Sequence, residues 1–174
     1  MALRSTSALP PWRKKAWPFV RLFVPRRARW FYEGHPAVDG QLWYAERRLL
    51  YETARQARPA CAFEVGTWKG GGSTLFIAQA LHDNGEGVLH TIEFEAALAA
   101  DAHRHYRAHL PHLLPYVRFH VGDYREHYRA VLEEASRVDL LLLDGAEDAA
   151  QTLAQYAFFL PYLQPASILL VHDW

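Results

Sequence analysis

Residues 61–74 read Cys61-Ala62-Phe63-Glu64-Val65-Gly66-Thr67-Trp68-Lys69-Gly70-Gly71-Gly72-Ser73-Thr74. The apolar run at 61–65 predicts a short buried strand. The glycines after it predict a sharp turn in which the backbone can approach a ligand closely. Ser73 or Thr74 can cap the apolar helix that follows, whose free N–H groups and positive dipole end suit an anion such as a carboxylate. Two other glycine loops are excluded by spacing. Lys69 precedes the glycine cluster, whereas a P-loop needs its lysine after it, and a G-x-G-x-x-G pattern started at Gly70 would need its third glycine at Leu75.

Outward from this stretch the alternation repeats. Short apolar runs at 88–92, 117–121, 138–143 and 168–171 are separated by helical patterns near 73–83, 96–110, 125–136 and 148–163, and residues 41–57 carry a further helical pattern. Strand, helix, strand, with strands apolar on both faces, predicts an α/β fold: a Rossmann-like, doubly wound, mainly parallel sheet with five strands visible. Right-handed crossovers then place ligand sites at the carboxyl ends of the strands.

Those ends carry acids. Glu93 closes the second strand, where a carboxylate can accept from both ribose hydroxyls of an adenosine ligand; alone it would read as a solvated loop acid. Gly122-Asp123-Tyr124 closes the third, where Asp123 can accept from an exocyclic amine and Tyr124 can cover a base, although Gly-Asp also reads as a turn with a helix N-cap. Asp144-Gly145-Ala146-Glu147-Asp148 follows the fourth, and His172-Asp173-Trp174 the fifth. Two carboxylates at neighbouring strand tips repel unless a cation or a proton neutralises them, and hard oxygen ligands suit Mg²⁺ or a similar ion. His172 could join a softer metal. Glu147, at the start of a helix facing the same cleft, is a candidate general base.

Bulk composition bounds the rest. The 174 residues are 51% apolar and 22% charged, enough for one domain with a real core and unlike a disordered chain. The net charge of zero is unevenly placed. Residues 1–32 hold eight basic side chains (Arg4, Arg13, Lys14, Lys15, Arg21, Arg26, Arg27, Arg29) and no acid. We therefore divide the chain into a basic aromatic arm, 1–34, and a core, 35–174. The arm's Trp12, Trp17, Phe19, Phe23, Trp30 and Phe31 can pack on their own domain or a partner subunit, lie on anionic lipid, or stack on nucleic acid; the first is favoured, and no clear nucleic-acid signal stands out. The single Cys61 excludes a disulfide framework. No stretch is long and apolar enough to span a bilayer, and Ala16 to Val24 is interrupted by Arg21, so the expected location is the cytoplasm. His105, His109 and His112 share a helical face and read as solvated. Leu153, Tyr156, Ala157 and Leu160, with Phe158 and Phe159, read as core against the sheet.

Taken together, Glu64-x-Gly66-x-x-x-Gly70-Gly71, Glu93, Gly122-Asp123, Asp144-Gly145-Ala146-x-Asp148 and His172-Asp173 resemble the class I S-adenosylmethionine (SAM) dependent methyltransferases. The likeness, over about residues 60–174, is to the small-molecule O-methyltransferase branch that includes the catechol-type and the metal-dependent sugar and antibiotic-tailoring enzymes. It implies that Gly66, Thr67, Gly70 and Gly71 wrap the methionine part of SAM, with Glu64 beneath the turn and Ser73 near the carboxylate. Glu93 would hold the ribose, and Asp123 with Tyr124 would border the adenine. Asp144 and Asp173 match the family's metal-binding acids, whose Mg²⁺ orients an acceptor hydroxyl for in-line attack, and Asp144 and Glu147 are the candidate catalytic residues.

Three departures stand out. Three glycines precede Ser73 where many relatives have two, Glu147 stands where antibiotic-tailoring relatives have a histidine, and Trp174 stands where catechol-type enzymes have asparagine. The family fold continues with a helix and two further strands, so the chain reads as a fragment; without them the fifth strand would be an open edge. The implied function is methyl transfer from SAM to a hydroxyl of a small-molecule acceptor, in a chain that can form a homo-oligomer. Other readings are a non-catalytic module that keeps the nucleotide cleft and, less well matched, a dinucleotide oxidoreductase.

Overall fold

The computed structural model describes residues 22, 23 and 25–172. In chain order the elements are α1 (Arg26–Glu33), α2 (Tyr44–Ala57), β1 (Cys61–Val65), α3 (Ser73–Asn84), β2 (Val88–Glu93), α4 (Ala96–His109), β3 (Val117–Val121), α5 (Tyr124–Ala135), β4 (Val138–Leu143), α6 (Ala149–Phe159) and β5 (Leu163–Val171). The strands form one sheet in the order β3-β2-β1-β4-β5, with every pair parallel. This is the expected doubly wound α/β sheet. From β1 the chain winds outward through β2 to β3, then returns to lay β4 against the other side of β1. A crevice opens at that reversal, outside the carboxyl ends of β1 and β4.

Both sheet faces are covered because strand residues alternate. Ala62, Leu140 and Leu142 face one core with Leu75, Phe76 and Ile77 of α3 and Tyr106 of α4. Phe63, Val65, Leu141 and Leu143 face the other, with Tyr128 and Leu132 of α5 and Phe159 of α6. Local chemistry sets the helix ends. Asp123 and Asp148 cap α5 and α6 by accepting from the Arg125 and Gln151 backbone N–H groups at 2.8 Å. Gly85 ends α3 in the left-handed region.

Most of the basic arm, including Trp12, Trp17 and Phe19, lies outside the described residues, whereas its last turns pack on the core. Phe31 is buried, Trp30 lies 4.4 Å from Phe76 between ring centroids, and Arg47 of α2 donates to the Phe31 and Tyr32 carbonyls at 3.2 Å. Leu22 and Phe23 are exposed. Among the described residues no helix is long and apolar enough to cross a membrane.

Three expectations are corrected. The fifth strand starts at Leu163, earlier than 168, because α6 ends at Phe159 and Pro161 and Pro165 break the apolar helical pattern. Its first part bulges: Val138 pairs with Leu163 and Leu140 with Ile168, while the Ser167 hydroxyl donates to the Val138 carbonyl. On α6, Phe159 is buried, but Leu153 on it and Leu160 just beyond it are 57% and 50% exposed, and a glutamine, Gln155, occupies the inward face at 4% exposure. The expected shared face of His105, His109 and His112 is broken, because α4 ends at His109 and His112 falls in the 3-10 turn Pro111–Tyr116; His109 pairs with the His35 ring, His112 with His82, and His103 with Phe119.

A second histidine group lies in the sheet. His90 Nδ1 on β2 is 3.2 Å from His120 Nε2 on β3, and His90 stacks on Phe63. Burial, then His120 and Arg118, lowers the His90 pKa to about 4. The folded protein therefore binds fewer protons at His90 than the unfolded chain between about pH 6.5 and 4. The stability this contributes is complete above the unfolded value and is lost as pH falls through the folded one. Thermal melts are expected to fall over this window, with a shallower slope in His90→Leu than in the parent; parallel slopes would rule His90 out as the source.

Candidate active site

The crevice at the β1/β4 reversal holds a cavity of about 770 Å³, lined among others by Gly66, Thr67, Trp68, Ser73, Glu93, Asp123, Tyr124, Asp144, Glu147 and His172. Its floor is the glycine turn. The Gly66 and Thr67 N–H groups donate to the Ile92 carbonyl at 3.0 and 3.1 Å, and Asp144 N–H donates to the Val65 carbonyl at 2.9 Å, which joins the tips of three strands. Gly66 sits at φ 106°, and a Cβ there would lie 2.6 Å from the Asp144 carbonyl oxygen. Only glycine fits.

Glu64 lies fully buried beneath the turn and does not line the cavity. Its Oε2 accepts from the Thr74 hydroxyl at 2.6 Å and the Thr91 hydroxyl at 2.5 Å, while Oε1 has no partner. The Thr67 hydroxyl, on the cavity wall, hydrogen-bonds Thr91 in turn. Burial raises the Glu64 pKa to about 7 against the opposing effect of hydrogen bonds from Ser73, Thr74 and Thr91. A buried carboxyl joined through two hydroxyls to the cavity can respond to charge placed there.

Gly70 and Gly71 do not line the cavity; they serve packing. A Cβ on Gly70 would lie 2.9 Å from the Tyr106 ring, and one on Gly71 would lie 2.3 Å from the Asp39 carbonyl oxygen. The segment before α2 crosses here, with Gly71 N–H donating to the Asp39 carbonyl at 3.0 Å and Lys69 Nζ 3.1 Å from the Asp39 carboxylate. Ser73, nearly buried, opens α3 and presents that helix's N-terminal end to the cavity.

Glu93 reaches the cavity from β2. Its Oε2 accepts from the Trp68 N–H at 2.7 Å and its Oε1 from the Glu95 N–H at 3.0 Å, so it braces the left-handed Trp68 (φ 48°) and keeps lone pairs for a ligand. Asp123 is more fully engaged. Besides capping α5, its carboxylate pairs with the Arg125 guanidinium, which holds its pKa below the usual carboxylate range. Tyr124 lies beside it on the cavity wall.

The opposite wall carries Asp144, Glu147 and His172. Asp144 Oδ1 is 2.9 Å from His172 Nδ1, and His172 Nε2 is 3.2 Å from Glu46 Oε1 of α2. Glu46 is doubly held, since its Oε2 accepts from the Trp43 N–H at 2.6 Å. Glu147 is exposed at the cavity rim, and its carboxylate has no partner among the described residues. Asp173, the second expected metal acid, lies outside the described residues. Among those described, no three His, Cys, Asp or Glu side chains are grouped to hold a metal. The described donors suited to a divalent cation at this point are thus the Asp144 carboxylate and the His172 ring.

Sequence reasoning missed Glu46, Gln151 and Gln155. Glu46 precedes the strand–helix repeat altogether, and the two glutamines sit in a helix read as apolar core. A register of positions 147, 151 and 155, one face of a helix beginning at the fourth strand tip, was the available signal.

Comparison with known proteins accords with this geometry. Residues 63–174 match the family model described as "Methyltransferase domain", and the chain belongs to that family. Its fold is shared with solved structures of low sequence identity. The O-methyltransferase TomG from Streptomyces achromogenes, involved in tomaymycin synthesis and solved with SAM, is 21% identical, with a TM-score of 0.66 over 92% of this chain and 71% of that one. An O-methyltransferase from Bacillus cereus solved with SAH is 20% identical, with a TM-score of 0.63 over 78% and 58%. The SAH-bound methyltransferase PaMTH1 of Podospora anserina is 16% identical, with a TM-score of 0.61 over 95% and 72%. The chain thus spans about 58% to 72% of the length of these three structures. No curated protein sequence matches it.

Proposed function

We propose that this chain binds S-adenosylmethionine in the cavity at the β1/β4 reversal and transfers its methyl group to a hydroxyl of a small-molecule acceptor, assisted by a divalent metal. One observation carries the reading: the glycine turn, the acid Glu93 and the acid Asp144 share one cavity. Gly66, Thr67 and the α3 end at Ser73 border the space for the methionine part, where the free N–H groups of the α3 end suit its carboxylate. Glu93 has lone pairs left for the ribose hydroxyls, and Tyr124 offers a flat face to the base. The acceptor enters beside Asp144 and Glu147. Its oxygen attacks the methyl carbon in line, the carbon–sulfur electron pair stays on sulfur, and the hydroxyl proton passes to a carboxylate, for which Glu147 is the unpaired candidate. Asp144 and Asp173 would hold the divalent ion, which when bound orients the acceptor oxygen and lowers its pKa.

Equilibrium titration with SAM and with its demethylated product SAH is the direct test, and no binding of either would remove the proposal. In Glu93→Ala the Trp68 and Glu95 N–H groups and the ribose lose their acceptor. Affinity for both ligands is expected to weaken by about 1–3 kcal/mol, roughly tenfold to a hundredfold. Unchanged affinity would remove Glu93 from the ribose.

A further inference from the structure

We propose that Gln155, not Asp123, reads the base of the cofactor, through its side-chain carboxamide. The inference rests on the cofactor reading given above and assigns a specificity-determining residue within it. Gln155 lies on α6, is 4% exposed, and forms part of the cavity wall. Its Oε1 is fully buried without a partner, and neither end of the carboxamide has a hydrogen bond among the described residues. The other buried polar side chains of that wall leave no buried atom unpartnered: Thr67 bonds Thr91, and the Ser73 hydroxyl is not among the unpartnered atoms. A buried amide left unpaired is costly, and one on a cavity wall can be completed by a ligand that enters the cavity.

The chemistry of the gap selects the occupant. A carboxamide offers an acceptor beside a donor, and a 6-aminopurine offers the converse along one edge: an amine that donates and a ring nitrogen that accepts. Val65, Ile92 and Tyr124, on the same cavity, supply the apolar and aromatic surface that a flat base requires. Asp123 is the weaker candidate because its carboxylate is already taken up by the N-cap and by the Arg125 guanidinium. A ligand's amine would have to displace a charged partner there, whereas at Gln155 it displaces nothing.

The test compares SAH with its 6-deamino counterpart, which keeps the purine ring and lacks the exocyclic amine, by calorimetric titration. The parent protein is expected to bind SAH about tenfold more tightly. Gln155→Leu should bring the ratio to within about twofold by weakening SAH alone, and Gln155→Glu, which keeps an acceptor, should restore most of the preference. Melting of Gln155→Leu should be no lower than that of the parent, since a buried unpaired amide is replaced by an apolar group of similar size. No preference in the parent, a preference unchanged in Gln155→Leu, or its loss in Asp123→Asn alone would each overturn the assignment. A parent protein that binds neither ligand would fail the cofactor reading itself, and the assignment with it.

Discussion

Gly66→Ala is expected to lower stability by about 3–5 kcal/mol and to abolish SAH binding. Two costs combine. A side chain at φ 106° is strained, and the added Cβ meets the Asp144 carbonyl at 2.6 Å, a backbone atom that cannot swing aside. That carbonyl follows the N–H that ties β4 to Val65, so relief would separate the strand tips that form the cavity floor. For a chain of this length the melting temperature should fall by on the order of 10 °C. Gly85→Ala is the matched control. It also has a positive φ, 75°, but nothing lies within 4 Å of the added Cβ, so only the left-handed conformational cost of about 1–2 kcal/mol remains. Equal melting of the two variants would show that the close approach at Gly66 does not matter.

The second large effect concerns chemistry and leaves binding intact. In Asp144→Asn the side chain keeps an oxygen for His172 and loses its charge. Methyl transfer to hydroxylated acceptors is expected to fall by about a hundredfold or more, with SAH affinity within a few-fold of the parent. Rates measured with Mg²⁺ and with EDTA separate two roles for that charge. Equal rates in both would refute metal assistance, while a parallel loss of SAH affinity would place Asp144 in the cofactor pocket.

These contrasts show which parts of the molecule were legible in the residues. Hydrophobic alternation located all five strands, because in a sheet covered on both faces each strand is a short apolar run between polar segments. It misplaced only the start of β5, where Pro161 and Pro165 interrupt the pattern and a bulge takes up the extra residues. In the site, Glu93, Asp144 and Gly66 stand at strand tips, where topology alone brings them together. Gly70 and Gly71 read as ligand contacts but answer to Tyr106 and Asp39, partners 36 and about thirty residues distant that no local pattern encodes. Glu46 was invisible for the same reason. Gln155 was hidden differently: an amide in a largely apolar helix looks like noise until its inward direction is known.

The contact between Glu46 and His172 spans 126 residues. One partner leaves the ribosome before the glycine turn, and the other follows every strand that the turn leans on. During synthesis β1, β2 and α3 are therefore complete while Glu46 still lacks its histidine. The order of translation thus makes the tie between α2 and the β5 tip one that closes only after all five strands have been made.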